Sequence, residues 1–163
     1  MQSLLVLSHV LAISIYLGAT VFLAILIEIA ARGATDASSR RERWGALFRV
    51  YNPLTIGALG VVVITGAWSL TPYKQALGGG YFAEIGSRLA GKLALAFVLI
   101  IVATWISFGI CHRLVRAHDG SIPVADSELD ALRSRLRVAL WLAVAITVAT
   151  VWVAMGLRTP ALT

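Results

Sequence analysis

The chain has 163 residues, of which 59% are apolar and only 13% charged, with a mean hydropathy of +0.85. Soluble domains run near 45–50% apolar and about 25% charged, so composition excludes the soluble globular classes. The formal charge of +6 does not point to nucleic acid, because the cations sit in short segments between apolar blocks, where membrane topology accounts for them.

Four blocks carry no formal charge: 1–27, 50–73, 93–111 and 138–157. A helix needs about 20 apolar residues to cross a hydrocarbon core of roughly 30 Å, and each block supplies them. The first lacks a cationic start, is too long for a signal-peptide core and runs directly into Glu28 and Arg32, so it reads as a retained span over 3–31. Glu28 and Arg32 stand four apart, the spacing of a helical ion pair. After the polar stretch 33–39, Trp44, Leu47, Phe48 and Tyr51 recur at helical spacing, with Arg40, Arg41, Arg43 and Arg49 around them. This predicts an interfacial amphipathic helix over 38–51, ending where Pro53 opens the second span, 53–71.

That second span holds Thr55, Gly57, Gly60, Thr65 and Gly66, small residues that let helices approach closely in lipid. The loop 71–87 contains Gly78-Gly79-Gly80 and reads as a lid or a connector. Ser87 is the expected cap of a third span over 88–118. Ser127, Asp130 and the Leu129/Leu132/Leu136 stripe predict the start of a fourth helix over 127–157, with Ala139, Ala143 and Thr147 on a close-packing face. No alternating strand pattern and no internal repeat is evident. The predicted fold is all-α: a single membrane domain over 1–163, an integral membrane four-helix bundle with up-down-up-down connections.

Orientation follows from charge. Arg32, Arg40, Arg41, Arg43 and Arg49 lie around the first loop, and Arg113, Arg116, Arg133, Arg135 and Arg137 around the third, ten of the 14 cations. The positive-inside rule makes loops 32–52 and 119–126 cytoplasmic and puts both termini outside.

Ionisable groups inside a span are expensive and are functional candidates by default. His9 stands out, lying within the charge-free run that ends at Ile27. Two readings are open: a histidine bonded to Ser or Thr of a neighbouring helix, or a metal ligand, since neutral imidazole is the common haem axial ligand. His112 and His118 sit at the other end of span three, beside Arg113 and Arg116, and read as interface residues. Their depth differs from that of His9 by roughly 15–20 Å at 1.5 Å per helical residue, which disfavours two of these histidines sharing one haem. Lys92 and Met155 fall near the depth of His9. Lys92 either snorkels to the headgroups or pairs an anionic group; Met155 either packs or supplies a thioether as second axial ligand. Trp68, Tyr73 and Trp152 on one side, and Trp44, Tyr51 and Trp141 on the other, read as aromatic belts. Cys111 is alone and reads as a small buried residue.

His9-x6-Tyr16-x-Gly18 is similar to the H-x6-W-x-G pattern of CopD-like and HemJ-like four-helix membrane proteins, with Tyr16 in the tryptophan position. Arg49-x3-Pro53, Gly66-Ala67-Trp68-Ser69-Leu70, Lys92-Leu93-Ala94-Leu95 and Arg113-Leu114 resemble HemJ landmarks in the same order, over about residues 4–157. The resemblance implies a bacterial cytoplasmic-membrane protein that binds haem b through His9, with Arg49, Lys92, Tyr16 and Trp68 matching its other cofactor-contacting landmarks. Three functions are consistent with it. The first is a haem-b electron carrier or accessory subunit of a larger membrane electron-transfer complex, or a homodimer of that kind. The second is HemJ-like oxidation of protoporphyrinogen IX, a porphyrin substrate, with electrons passed to quinone. The third is CopD-like copper transport; Cu(I) prefers soft sulfur ligands, and only the scattered Met1, Cys111 and Met155 offer them. The lipid bilayer is the expected surrounding, and nucleic acid is not an expected partner.

Overall fold

The computed structural model describes residues 2–33, 37–71, 74–75, 78–118 and 125–155. Residues 119–124 of the predicted third loop, Tyr73, Met1 and the predicted end of the fourth span beyond Met155 lie outside the described residues, as do the side chains of Arg32, Arg40, Arg41, Arg43, Trp44, Ser87, His118 and Leu129.

The order of elements is α1 (Gln2–Gly33), α2 (Ala37–Ser69), a 3-10 turn (Gly78–Gly80), α3 (Tyr81–Thr104), a π segment (Trp105–Cys111), α4 (His112–His118) and α5 (Asp126–Met155). Among the described residues there is no strand. Four helical stretches are long and apolar enough to cross a membrane: Ser3–Ile29, Gly45–Ser69, Leu89–Ala117 and Asp130–Met155. The third is composite, because α3, the π segment and α4 follow one another without a break.

Three boundaries differ from those expected. The segment 38–51 is not a separate helix ahead of the second span: α2 runs from Ala37 through Pro53 to Ser69. Phe48 and Tyr51 belong to the buried core, so their apolar face is satisfied by neighbouring helices. Proline removes one backbone donor and crowds the preceding turn. The Thr55 hydroxyl answers this locally by donating to the carbonyls of Tyr51 (2.8 Å) and Asn52 (3.3 Å), the kind of repair that lets proline persist inside spanning helices. The third span begins at Tyr81, so Ser87 lies inside α3 and is not its cap. Gly78, at φ +49°, occupies the left-handed region that favours glycine, and the turn runs straight into α3. The fourth helix starts at Asp126, placing Ser127 within its first turn.

The π segment has no counterpart in the sequence reading. Its closing bond runs from the His112 N–H to the Ser107 carbonyl, five residues back, and such widened turns often mark functional sites. Gly109 makes the local packing possible: a Cβ there would sit 2.8 Å from the Trp105 ring. From α2, the Asn52 amide also donates toward the Ser107 carbonyl (3.5 Å).

Packing is uneven along the bundle. One core cluster joins Tyr16, Leu23, Ala24 and Ile27 of α1, Phe48, Tyr51 and Ala58 of α2, Leu99 through Cys111 of the third span, and Leu132 through Ala143 of α5. α1 lies against α2 and α5, and α3 lies against α5. α2 meets the third span chiefly through α4 and the π segment. The spans thus converge at the Glu28 end and open toward the His9 end between α2 and α3. In the most apolar stretch of α2 only 17% of residues are buried, against 33% in each of the other three. At the Glu28 end, Glu28 meets Arg137 of α5 at 3.5 Å and Arg133 donates to the Ile27 carbonyl; the Arg113–Glu128 pair (2.9 Å) ties α4 to α5.

Candidate functional site

His9 is half-buried on α1, and its Nδ1 lies 2.9 Å from the Thr65 hydroxyl of α2. His9 meets Thr65 near one end of the pair, and Thr20 meets Tyr51 further along, so α1 and α2 run in opposite directions. The Thr65 hydroxyl donates its own proton to the Val61 carbonyl one turn back. A hydroxyl has a single proton, so toward His9 it acts as an acceptor. The bonding pattern therefore assigns the imidazole proton to Nδ1 and leaves Nε2 with its lone pair. This is the arrangement of metal-ligating histidines, in which one ring nitrogen donates to a fixed acceptor and the other faces the metal. Of the two sequence readings of His9, a Ser/Thr bond and a ligand role, the first is observed, and it prepares the second.

Gly66, next to Thr65, lets α2 approach the ring. A Cβ at this position would stand 3.3 Å from His9 Cε1, tight enough that the imidazole would have to yield. Lys92 of α3 is also half-buried. The buried residues nearest this end are small or hydroxyl-bearing: Ala12, Thr65, Thr147 and Thr150, with Leu89 as the large exception. Thr147 and Thr150 donate to carbonyls of their own helix, which closes their hydrogen bonds without blocking the space.

The structure sets His9 against Thr65 and Gly66, which the sequence reading treated only as close-packing residues of the second span. Tyr16 lies two turns further along α1, inside the core and not at the His9 end. Trp68 and Met155, 62% and 54% exposed, face outward. Arg49 sits toward the opposite end of the α2 span and is exposed. His112 is likewise exposed at the far end, while Cys111 is wholly buried, as its sequence reading expects. Among the described residues no cluster of three His, Cys, Asp or Glu exists that could hold a metal ion. The residues present fit a group that brings most of its own ligands and asks the protein for one imidazole nitrogen, with the half-buried Lys92 available to an anionic substituent. Compared with protein-family models, curated proteins and solved structures, the chain matches none.

Proposed function

We propose that the chain is a haem-b-binding redox protein of the bacterial cytoplasmic membrane, an electron carrier or accessory subunit of a membrane electron-transfer complex, with His9 as axial ligand. The observation that carries this reading is the His9–Thr65 bond, which leaves Nε2 with its lone pair on a half-buried ring. A lone imidazole is a poor site for a bare ion, and no partner cluster accompanies it among the described residues. A porphyrin supplies four equatorial nitrogens and asks the protein for axial ligands only. Haem bound here would supply one-electron chemistry. His9 would hold the iron, Thr65 would fix the ring and its tautomer, Gly66 would give it room, and Lys92 would neutralise a propionate. The ordered resemblance to HemJ-like proteins supports the same ligand and makes porphyrinogen oxidation the neighbouring reading. The copper reading gains nothing from the arrangement around His9, where no soft ligand stands with the imidazole.

The proposed topology is up-down-up-down, with the arginine-flanked first and third loops cytoplasmic and both termini outside, so that the His9 end faces the outer leaflet. The test is the visible spectrum of protein purified in detergent from haem-replete cells. A b-type α-band on dithionite reduction is expected in the wild type, and it should be lost or strongly shifted in His9→Ala. A colourless wild type overturns the proposal. Rescue of a strain lacking its own protoporphyrinogen oxidase would move the assignment from carrier to enzyme.

A further inference from the structure

The packed core of the bundle holds a second polar group, separate from the His9 end. Thr20 of α1 is fully buried and donates its hydroxyl proton to the Tyr16 carbonyl at 2.7 Å. Its oxygen is therefore an acceptor toward anything else, and the Tyr51 hydroxyl of α2 reaches it from across the helix pair at 3.5 Å. Tyr16 carries a third hydroxyl into the same core. That hydroxyl is buried and has no hydrogen-bond partner, on a residue only 2% exposed. Tyr16, Tyr51 and Cys111 all belong to one buried core cluster. Three hydroxyls and a thiol from three spans thus share the core toward its Glu28 end, and one of the donors is satisfied by no protein group.

Buried polar groups in proteins are almost always paired, and an orphan in the low-dielectric middle of a span bears its full desolvation cost. A partner for Tyr16 must meet three conditions. It must accept a hydrogen bond. It must be small, because Tyr16, Tyr51 and Cys111 all belong to the packed core. It must be neutral, because none of the four side chains carries a formal charge and an uncompensated ion would be prohibitively costly there. Water meets all three, and the two to four polar partners that hold a buried water in place are present.

We infer that Tyr16, Thr20 and Tyr51 form a binding site for an internal water in the packed core of the membrane-spanning bundle. It accepts from Tyr16 and bridges to Tyr51 and Thr20, joining α1 to α2. The site is a property of this chain's Tyr16 and does not depend on haem at His9.

The test is Tyr16→Phe in the detergent-solubilised full-length chain, which removes one oxygen and leaves the ring. If water bridges the three hydroxyls, the variant loses a bridging network and melts several degrees below the wild type. If the Tyr16 hydroxyl is a bare orphan, its removal relieves a penalty and the variant melts at the same or a higher temperature, which overturns the inference. Infrared spectra in H2-16O and H2-18O give an independent reading. An isotope-shifted internal-water stretch is expected in the wild type and should vanish in Tyr16→Phe; a wild type without one overturns the inference. Should Tyr16→Phe fail to fold, Tyr51→Phe decides, with the water band expected to weaken and an unaltered band counting against the site.

Discussion

Toward Glu28, α1 presents Leu23, Ala24 and Ile27 to a core completed by Phe48, Ile110 and Leu136; toward its other end the same helix presents Ala12 and His9, near Thr65 and Gly66. The first arrangement is close packing, which is what holds spanning helices together when lipid competes on equal terms for apolar side chains. The second leaves a polar ring half-covered and lets α2 and α3 part. A bundle of four helices needs only part of its length packed to be stable, and the remainder is free to hold something else. If the proposed haem site is right, the contrast is one of roles, with one half carrying stability and the other the ligand, and substitutions should sort accordingly.

The largest effect on stability belongs to the packed half. Leu140 is fully buried on α5, and Leu140→Ala should cost about 2–3 kcal/mol in an unfolding titration, toward the lower end for core truncations because lipid or detergent accepts the lost side-chain area readily. The b-type band of the folded fraction should be unchanged. Leu7→Ala on the exposed face of α1 should move stability by less than about 0.5 kcal/mol. A large loss from Leu7 and a small one from Leu140 would break the division.

Next in size is Thr65→Val, which keeps the shape and deletes the acceptor of the His9 Nδ1 proton. Partners of this kind are worth about 10–100-fold in metal affinity, so haem titration should show a loss in that range while the melting temperature moves little. Thr65→Ser, which restores the hydroxyl, should recover most of the affinity. Gly66→Ala is smaller and gives effects of opposite sign. Alanine favours a helix interior by about 0.5–1 kcal/mol over glycine, whereas its Cβ meets His9 Cε1 at 3.3 Å. Thermal stability should rise slightly and haem affinity fall several-fold, and a fall in both would mean that Gly66 serves packing and not the ring.

The packed half was largely legible in the sequence, because apolar length decides where spans lie, and the predicted 3–31 falls within α1, Gln2–Gly33. The predicted break at Pro53 was not real. Proline signals a helix start on its own, and only the Thr55 hydroxyl and the core around Phe48 and Tyr51 explain why α2 continues. The π segment was invisible, since a five-residue hydrogen bond leaves no mark on composition. At the other end, scarcity made His9 conspicuous, but Thr65 stands 56 residues away and is one of several threonines in apolar sequence. Which of them faces the ring is settled by helix rotation, a property of the assembled bundle.

The smallest effect should come from the charges at the Glu28 end. Arg137 and Glu28 are 3.5 Å apart with side chains 50% and 34% exposed. Such pairs contribute about 0–1 kcal/mol, since solvent screens them and two long side chains lose freedom in meeting. Arg137→Gln should therefore shift stability by no more than about 0.5 kcal/mol, and the shift should shrink as salt is raised. The arginine matters more for orientation, because positive charge beside a span sets which side it faces. Removing Arg133, Arg135 and Arg137 together should alter the sidedness of a reporter fused after Met155 while Leu140 still governs melting. A melting loss from Arg137→Gln as large as that from Leu140→Ala would mean that ion pairs, and not packing, hold this half together, and the comparison between the two ends would have to be drawn on different grounds.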